Sequence, residues 1–121
     1  IWWFSMRSNR DGKLLNKIFE EISDIEYFMD GIIENEFMLN KEKQKAVCLS
    51  FQNIGEYVKN ISKELKDIYY EVEWAEIYGF RNIVAHEYSK IKMSEVWQMI
   101  KEDLPHLRAD IEKILRNLLS L

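Results

Sequence analysis

The sequence predicts an all-α protein that folds as an antiparallel bundle of four or five helices. Along three segments, apolar residues recur at alternating steps of three and four, which turns one face of each helix toward its neighbours. No segment shows the sustained period of two that is typical of a half-buried strand. Glycine and proline, which interrupt helices, are scarce: 121 residues include four Gly and one Pro.

Five helices are predicted, at residues 11–33, 40–65, 73–86, 94–104 and 105–119, with links at 35–39, 67–72 and 89–93. The apolar stripes that support the first, second and last two helices are, in turn, Leu15, Ile18, Ile22, Ile25, Met29 and Ile32; Val47, Phe51, Ile54, Val58, Ile61 and Leu65; and Val96, Ile100, Leu104, Leu107, Ile111, Ile114 and Leu118.

Residues at the predicted boundaries and inside the helices agree with this pattern. Asn40 and Ser94 can each accept a hydrogen bond from the unpaired N–H groups where a helix starts. Pro105 has no N–H, so it should either open the fifth helix or kink a long fourth one. Gly55 and Gly79 lie inside helices, at a cost of about 1 kcal/mol each relative to alanine, and close packing of two backbones would justify both.

The length predicts one domain, which we place at residues 6–121. Met6 is a candidate native start, so residues 1–5 are expected to be a non-native or disordered leader. No apolar run is long enough to cross a bilayer. The single cysteine, Cys48, cannot form an internal disulfide and fits a reduced, cytoplasmic setting.

The formal net charge of −4 argues against a general nucleic-acid coat protein, because such proteins are normally basic. Between Ile18 and Asn40 there are seven acidic residues and no basic one. A solvated helix face would explain this stretch, and so would a docking surface for a basic partner. Any RNA should bind away from it.

The strongest candidate for chemistry is the segment 81–88, Arg-Asn-Ile-Val-Ala-His-Glu-Tyr. Arg81 stays charged at every relevant pH and can hold phosphate oxygens through two N–H groups. His86 can accept or donate a proton near neutral pH. This pair suits RNA cleavage by the 2′-hydroxyl, which needs a base, an acid and a cation beside the phosphate. The same spacing also arises by chance, and a histidine at a helix C-terminus is favoured by the helix dipole.

Helix geometry separates the two side chains. Five residues place Arg81 and His86 about 140° apart on a regular helix, whereas Tyr88 returns to nearly the face of Arg81. Arg81 and His86 can be brought together if the helix loosens near His86, or if two copies of the segment meet across a two-fold axis. No metal or cofactor is expected, since the lone pair His86 and Glu87 falls short of a metal-site pattern.

Segment 81–88 resembles the signature of the HEPN superfamily, in particular its HepT branch of bacterial and archaeal toxins. The similarity runs from about Ser8 to Ile114. It includes, in the expected order, Ile54-Gly55-Glu56, Trp74 through Arg81, Glu95-Val96-Trp97 and Asp103-Leu104-Pro105. Phe80 stands where methionine is more usual, a departure without chemical consequence.

The resemblance implies a bundle that dimerises through the helix carrying the motif. It implies a metal-independent endoribonuclease with Arg81 and His86 as the catalytic pair and Asn82 in support. It also implies the toxin of a type VII-like toxin–antitoxin system, whose antitoxin is an MntA-like minimal nucleotidyltransferase. That antitoxin would transfer AMP from ATP to the motif tyrosine, here Tyr88.

Two other functions stay open from the sequence. One is a non-catalytic helical module that binds a nucleotidyltransferase and presents its substrate, and the acidic pI of about 5.3 slightly favours it. The other is a scaffold that serves only for oligomerisation, which would explain the stripes and leave segment 81–88 to coincidence.

Overall fold

The computed structural model describes the backbone of residues 2–119 and the side chains of residues 9–119. Over this range the chain contains no strand, which confirms the all-α prediction. The helices are α1 (Trp2–Met29), α2 (Glu34–Leu39), α3 (Lys41–Asn60), α4 (Lys63–Ile68), α5 (Trp74–His86), α6 (Met93–Gln98) and α7 (Leu104–Leu119). A 3-10 turn, Tyr88–Lys90, follows α5, and a π-helical turn, Met99–Asp103, joins α6 to α7.

The predicted domain limits stay a prediction. Ile1, residues 120–121 and the side chains of residues 2–8 lie outside the described part of the chain, so the expected leader at residues 1–5 is not tested. Within residues 2–119, no helix has both the length and the apolar character that a membrane span requires.

The core is built from the predicted apolar stripes. Helix α3 packs against α1 on one side and α5 on the other, and α7 packs against α1. Every stripe residue is buried except Ile32, Leu107 and Leu118, which are partly buried at the edge of the core. Burial of these side chains supplies the main stabilisation of the bundle.

The first link contains a helix that was not predicted. Helix α1 ends at Met29, and the chain turns at Gly31, whose φ of +72° favours glycine. Helix α2 then occupies residues predicted to be a link. It is held by fully buried Phe37, whose backbone oxygen accepts a hydrogen bond from Gln44 Nε2 at 2.8 Å. Helix α2 has six residues and one buried side chain, which is too short for a periodic apolar pattern, so it could not be predicted from the sequence.

The predicted helix at 40–65 is divided in two by a contact between distant residues. As predicted, Asn40 caps its start, with Oδ1 accepting from Lys43 N at 3.0 Å. Helix α3 ends at Asn60, and Ser62 caps α4 by accepting from Leu65 N at 3.2 Å. Buried Asp11 fixes this break, because its carboxylate accepts from Ser62 N at 2.9 Å and from Ser62 Oγ at 2.6 Å. The local sequence contains no sign of that contact.

The last two predicted helices form one continuous helical run. The predicted cap at Ser94 is wrong, because α6 already begins at Met93 and has no side-chain cap. Pro105 lies in the first turn of α7, and the backbone is helical on both sides of the π-helical turn. Proline has no N–H to donate to the carbonyl four residues before it, so one α-helical hydrogen bond is missing here. The π-helical turn, which is wider than a turn of α-helix, lies directly before this point.

Candidate active site

Helices α3 and α5 approach most closely where Gly55 faces Arg81. A Cβ at residue 55 would lie 2.2 Å from Arg81 Cβ and 3.3 Å from the carbonyl oxygen of Ile77, so a side chain there would displace α5. The predicted close packing is therefore confirmed for Gly55. Within one copy of the chain it is not found at Gly79, where an added Cβ would meet no atom within 4 Å.

Arg81 is held by two polar neighbours. Its Nε forms an ion pair with Glu56 Oε1 on α3, and these two atoms are buried without any other hydrogen-bond partner. Its Nη1 donates to Asn82 Oδ1 at 2.9 Å. The Arg81 side chain is 22% exposed. A guanidinium carries five N–H donors, so these two contacts fix its orientation and leave donors for a further oxyanion.

His86 is the last residue of α5 and is exposed to solvent. The helix stays regular up to this residue and ends there, with Glu87 N donating to Ile83 O at 2.8 Å. Loosening of the helix before His86 is therefore not observed. Within one copy of the chain, the Arg81 and His86 side chains leave the helix axis about 140° apart.

The exposed face of α5 carries His86 together with Ile83 and Gly79. The three residues are spaced by four and three, so they share one face of the helix. Ile83 is 41% exposed, which is high for an apolar side chain in the middle of a helix. Arg81 lies at a different edge of α5, where that helix meets α3.

Tyr88 lies in the 3-10 turn after α5 rather than on a continued helix. Helix α5 ends at His86, as predicted, so the regular helix on which Tyr88 would share the face of Arg81 does not extend to Tyr88. The Tyr88 ring packs partly buried against the core. Burial raises the pKa of its phenol, and nearby Cys48 raises it further. Cys48 is itself buried, and this burial raises the pKa of its thiol to about 11, so both groups are neutral at pH 7.

A groove of about 520 Å³ lies apart from the motif side chains Arg81, His86 and Tyr88, none of which lines it. Its floor is apolar, and the second histidine, His106, lies at its rim with several carboxylates. These carboxylates belong to Glu71, Glu73, Glu76, Asp103 and Asp110. Negative charge at this density disfavours a phosphate. Among the described residues, no group of three His, Cys, Asp or Glu side chains is arranged to hold a metal ion.

Glu56 is not among the residues predicted to form the site. The segment Ile54-Gly55-Glu56 supports only the resemblance to the HEPN superfamily. One local signal was available, because Glu56 is the only acidic residue between Glu42 and Glu64, in a stretch that is otherwise basic. A lone carboxylate beside a helix-interior glycine is consistent with an ion pair to the helix that packs there.

The chain is similar to known proteins over most of its length. A family model described as Ribonuclease HepT-like matches residues 18–114, which include all of α3 and α5. "Putative RNase MJ1380" of Methanocaldococcus jannaschii is 35% identical over 106 residues, covering 87% of this chain and 97% of that protein. "Probable ribonuclease HepT" of Thermococcus cleftensis is 34% identical over 108 residues, covering 89% and 96%.

A third relative is longer than this chain. "Gamma-glutamylcyclotransferase and putative RNase MJ0434" of Methanocaldococcus jannaschii is 33% identical over 104 residues, which are 86% of this chain but 47% of that protein. The chain thus spans about half of that relative. No solved structure shows a significant match. The family model covers most of the chain, so this protein belongs to the ribonuclease HepT-like family, as the resemblance predicted.

Proposed function

We propose that this chain is a metal-independent endoribonuclease and the toxin of a type VII-like toxin–antitoxin system that acts in the cytoplasm. Membership of the family identifies it as an RNA-cleaving enzyme. The observation that best supports the finer proposal is the anchoring of Arg81: Glu56 and Asn82 fix its guanidinium, and the same short helix ends in an exposed imidazole.

The proposed reaction uses the RNA 2′-hydroxyl as nucleophile. His86 accepts the proton of this hydroxyl while its oxygen attacks the adjacent phosphorus. The bond from phosphorus to the 5′-oxygen breaks, and that oxygen takes a proton from water. The products are a 2′,3′-cyclic phosphate and a 5′-hydroxyl, and His86 returns its proton to solvent. Arg81 stabilises the extra negative charge of the pentavalent transition state.

We further propose that the active form is a homodimer that packs through the exposed face of α5. Within one copy, Arg81 and His86 lie on different sides of α5, so the two side chains cannot both contact one phosphate. A second copy must supply one of them. The open surface at Gly79 and the exposed side chain of Ile83 make this face suitable for a second helix. A two-fold axis there would give each Arg81 a histidine from the second copy.

The catalytic proposal predicts that Arg81→Ala and His86→Ala each abolish growth arrest and RNA cleavage. Loss of the base alone should lower the cleavage rate by about 10²–10⁴-fold. The control is His106→Ala, which removes the other histidine and should cleave RNA like wild type. Cleavage of labelled RNA, with dimerisation checked by light scattering, measures the effect. Full activity in either motif variant would defeat the assignment.

Glu56 is proposed as a positioning residue, because it orients Arg81 from α3. Glu56→Gln removes the charge that fixes Nε, so kcat should fall by about tenfold or more as the guanidinium moves. KM should not rise, since a negative charge near the RNA phosphate is lost as well.

The matched control for this variant is Glu112→Gln. Glu112 forms ion pairs with Arg108 and Arg116 on α7, and its side chain is 37% exposed against 39% for Glu56. Steady-state kinetics and denaturation of both variants separate positioning from stability. Unchanged kcat in Glu56→Gln, or an equal loss in Glu112→Gln, would contradict the role of Glu56.

We propose that neutralisation occurs by adenylylation of Tyr88 by an MntA-like nucleotidyltransferase. The phenol oxygen attacks the α-phosphorus of ATP, pyrophosphate leaves, and the phenol proton passes to a base of the transferase. Such a base is needed because a phenol is protonated at neutral pH, and burial raises the pKa of Tyr88 further. The added phosphate would place negative charge and bulk just beyond the end of α5, where it would repel RNA.

This proposal predicts a mass increase on the Tyr88 peptide after co-expression with the transferase. Each AMP group should add about 329 Da, as expected for one phosphate-linked nucleoside. Tyr88→Phe should stay toxic and escape neutralisation. Tyr70→Phe, at an exposed tyrosine outside the motif, should still be modified and neutralised. Neutralisation without any change in mass would instead favour inhibition by binding alone.

The alternative function is a non-catalytic module that binds a nucleotidyltransferase. The acidic residues at the C-terminal half of α1 favour a protein partner on that surface, since most of them are exposed. The cleavage assay above discriminates between the two functions, because a binding module would leave RNA intact in wild type as well.

A further inference from the structure

A basic surface lies on the first half of α1, in addition to the candidate active site on α5. It is a shallow groove of about 550 Å³ between α1 and the end of α3. Three of its six lining residues are cationic, two are amides and none is acidic: Asn9, Arg10, Lys13, Leu14, Lys17 and Asn60. The proposed reaction uses none of them.

The three cations of this basic groove are exposed. Among the described residues, no carboxylate forms an ion pair with Arg10, Lys13 or Lys17. Asp11 is adjacent in sequence, but its carboxylate is buried and accepts hydrogen bonds from Ser62. The groove therefore keeps a positive potential although the whole chain is acidic.

The charges of α1 are segregated along its length. Basic residues occur up to Lys17, and from Glu20 to the end of the helix every charged residue is acidic. A polyanion that approaches this helix is therefore attracted to its first half and repelled from its second half. This polarity would orient a long RNA on the protein as well as bind it.

The basic groove is connected to the Arg81 site through α3. Lys17 Nζ lies 5.7 Å from the centroid of the Tyr57 ring, and Tyr57 directly follows Glu56. Asn60, at the edge of the groove, donates to the backbone oxygen of Glu56 at 3.1 Å. Glu56, the residue that holds Arg81, thus lies about one turn of α3 before the edge of the groove.

We propose that this basic groove binds the phosphate backbone of the RNA substrate several nucleotides away from the cleaved bond. Arg10, Lys13 and Lys17 pair with phosphates, and the amides of Asn9 and Asn60 can donate to phosphate or 2′-hydroxyl oxygens. These contacts add affinity and register without reading the base sequence. The inference rests on the proposed ribonuclease function and extends it to a second contact surface.

The test compares Lys13→Gln/Lys17→Gln with Lys41→Gln/Lys113→Gln. Each double variant removes two positive charges at exposed positions, and the control positions lie outside the groove. Binding of a 2′-O-methyl RNA of about 16 nucleotides is followed by fluorescence anisotropy over a range of salt concentrations. A plot of the logarithm of the association constant for RNA against the logarithm of the salt concentration gives a straight line. Loss of two phosphate contacts should lower the magnitude of its slope by about 1.4. At 0.1 M salt this corresponds to a roughly 25-fold weaker complex.

Cleavage kinetics give a second readout. For the Lys13→Gln/Lys17→Gln variant, KM should rise on the long RNA, while kcat on a substrate of about 4 nucleotides stays at the wild-type value. If wild type binds and cleaves RNA and this variant behaves like its control, the groove serves another partner and the inference is overturned. If the wild-type protein neither binds nor cleaves RNA, both the proposed function and the inference about the groove are overturned.

Discussion

The contact between α3 and α5 at Gly55 is the constraint on which the candidate site depends. The absence of a side chain at Gly55 lets α5 lie close enough for Glu56 to reach Arg81. An ion pair with two buried atoms loses hydration on both sides, so it persists only where the geometry is well fixed. Close packing provides that geometry, and it holds the guanidinium of an intrinsically mobile side chain in one orientation, as the proposed contact of Arg81 with a phosphate requires.

The helices of the core could be predicted because their signal is local. Three long stripes with helical spacing mark the residues that are buried, and α5 begins within one residue of its predicted start. The errors have long-range causes. Asp11 breaks the second predicted helix from 51 positions away, and one buried side chain, Phe37, holds α2. Periodicity cannot detect either contact.

Part of the candidate site could be proposed from the sequence. Residue types and spacing indicate Arg81 and His86 as the candidate pair, which stays a prediction, and helix geometry predicts that one regular helix separates them. Other features depend on tertiary structure. The ion pair between Glu56 and Arg81 exists only because α3 meets α5. The basic groove combines α1 with Asn60 of α3, so no single stretch of sequence contains it.

Mixed dimers provide the most direct test of the central claim, that Arg81 of one copy acts with His86 of the other. An Arg81→Ala chain and a His86→Ala chain, carrying different tags, can be co-purified and assayed for RNA cleavage. The mixed dimer retains one cross-copy pair and no pair within a copy. We expect about half of the wild-type activity, with both parent homodimers inactive. A mixed dimer as inactive as its parents would contradict catalysis across the two-fold axis.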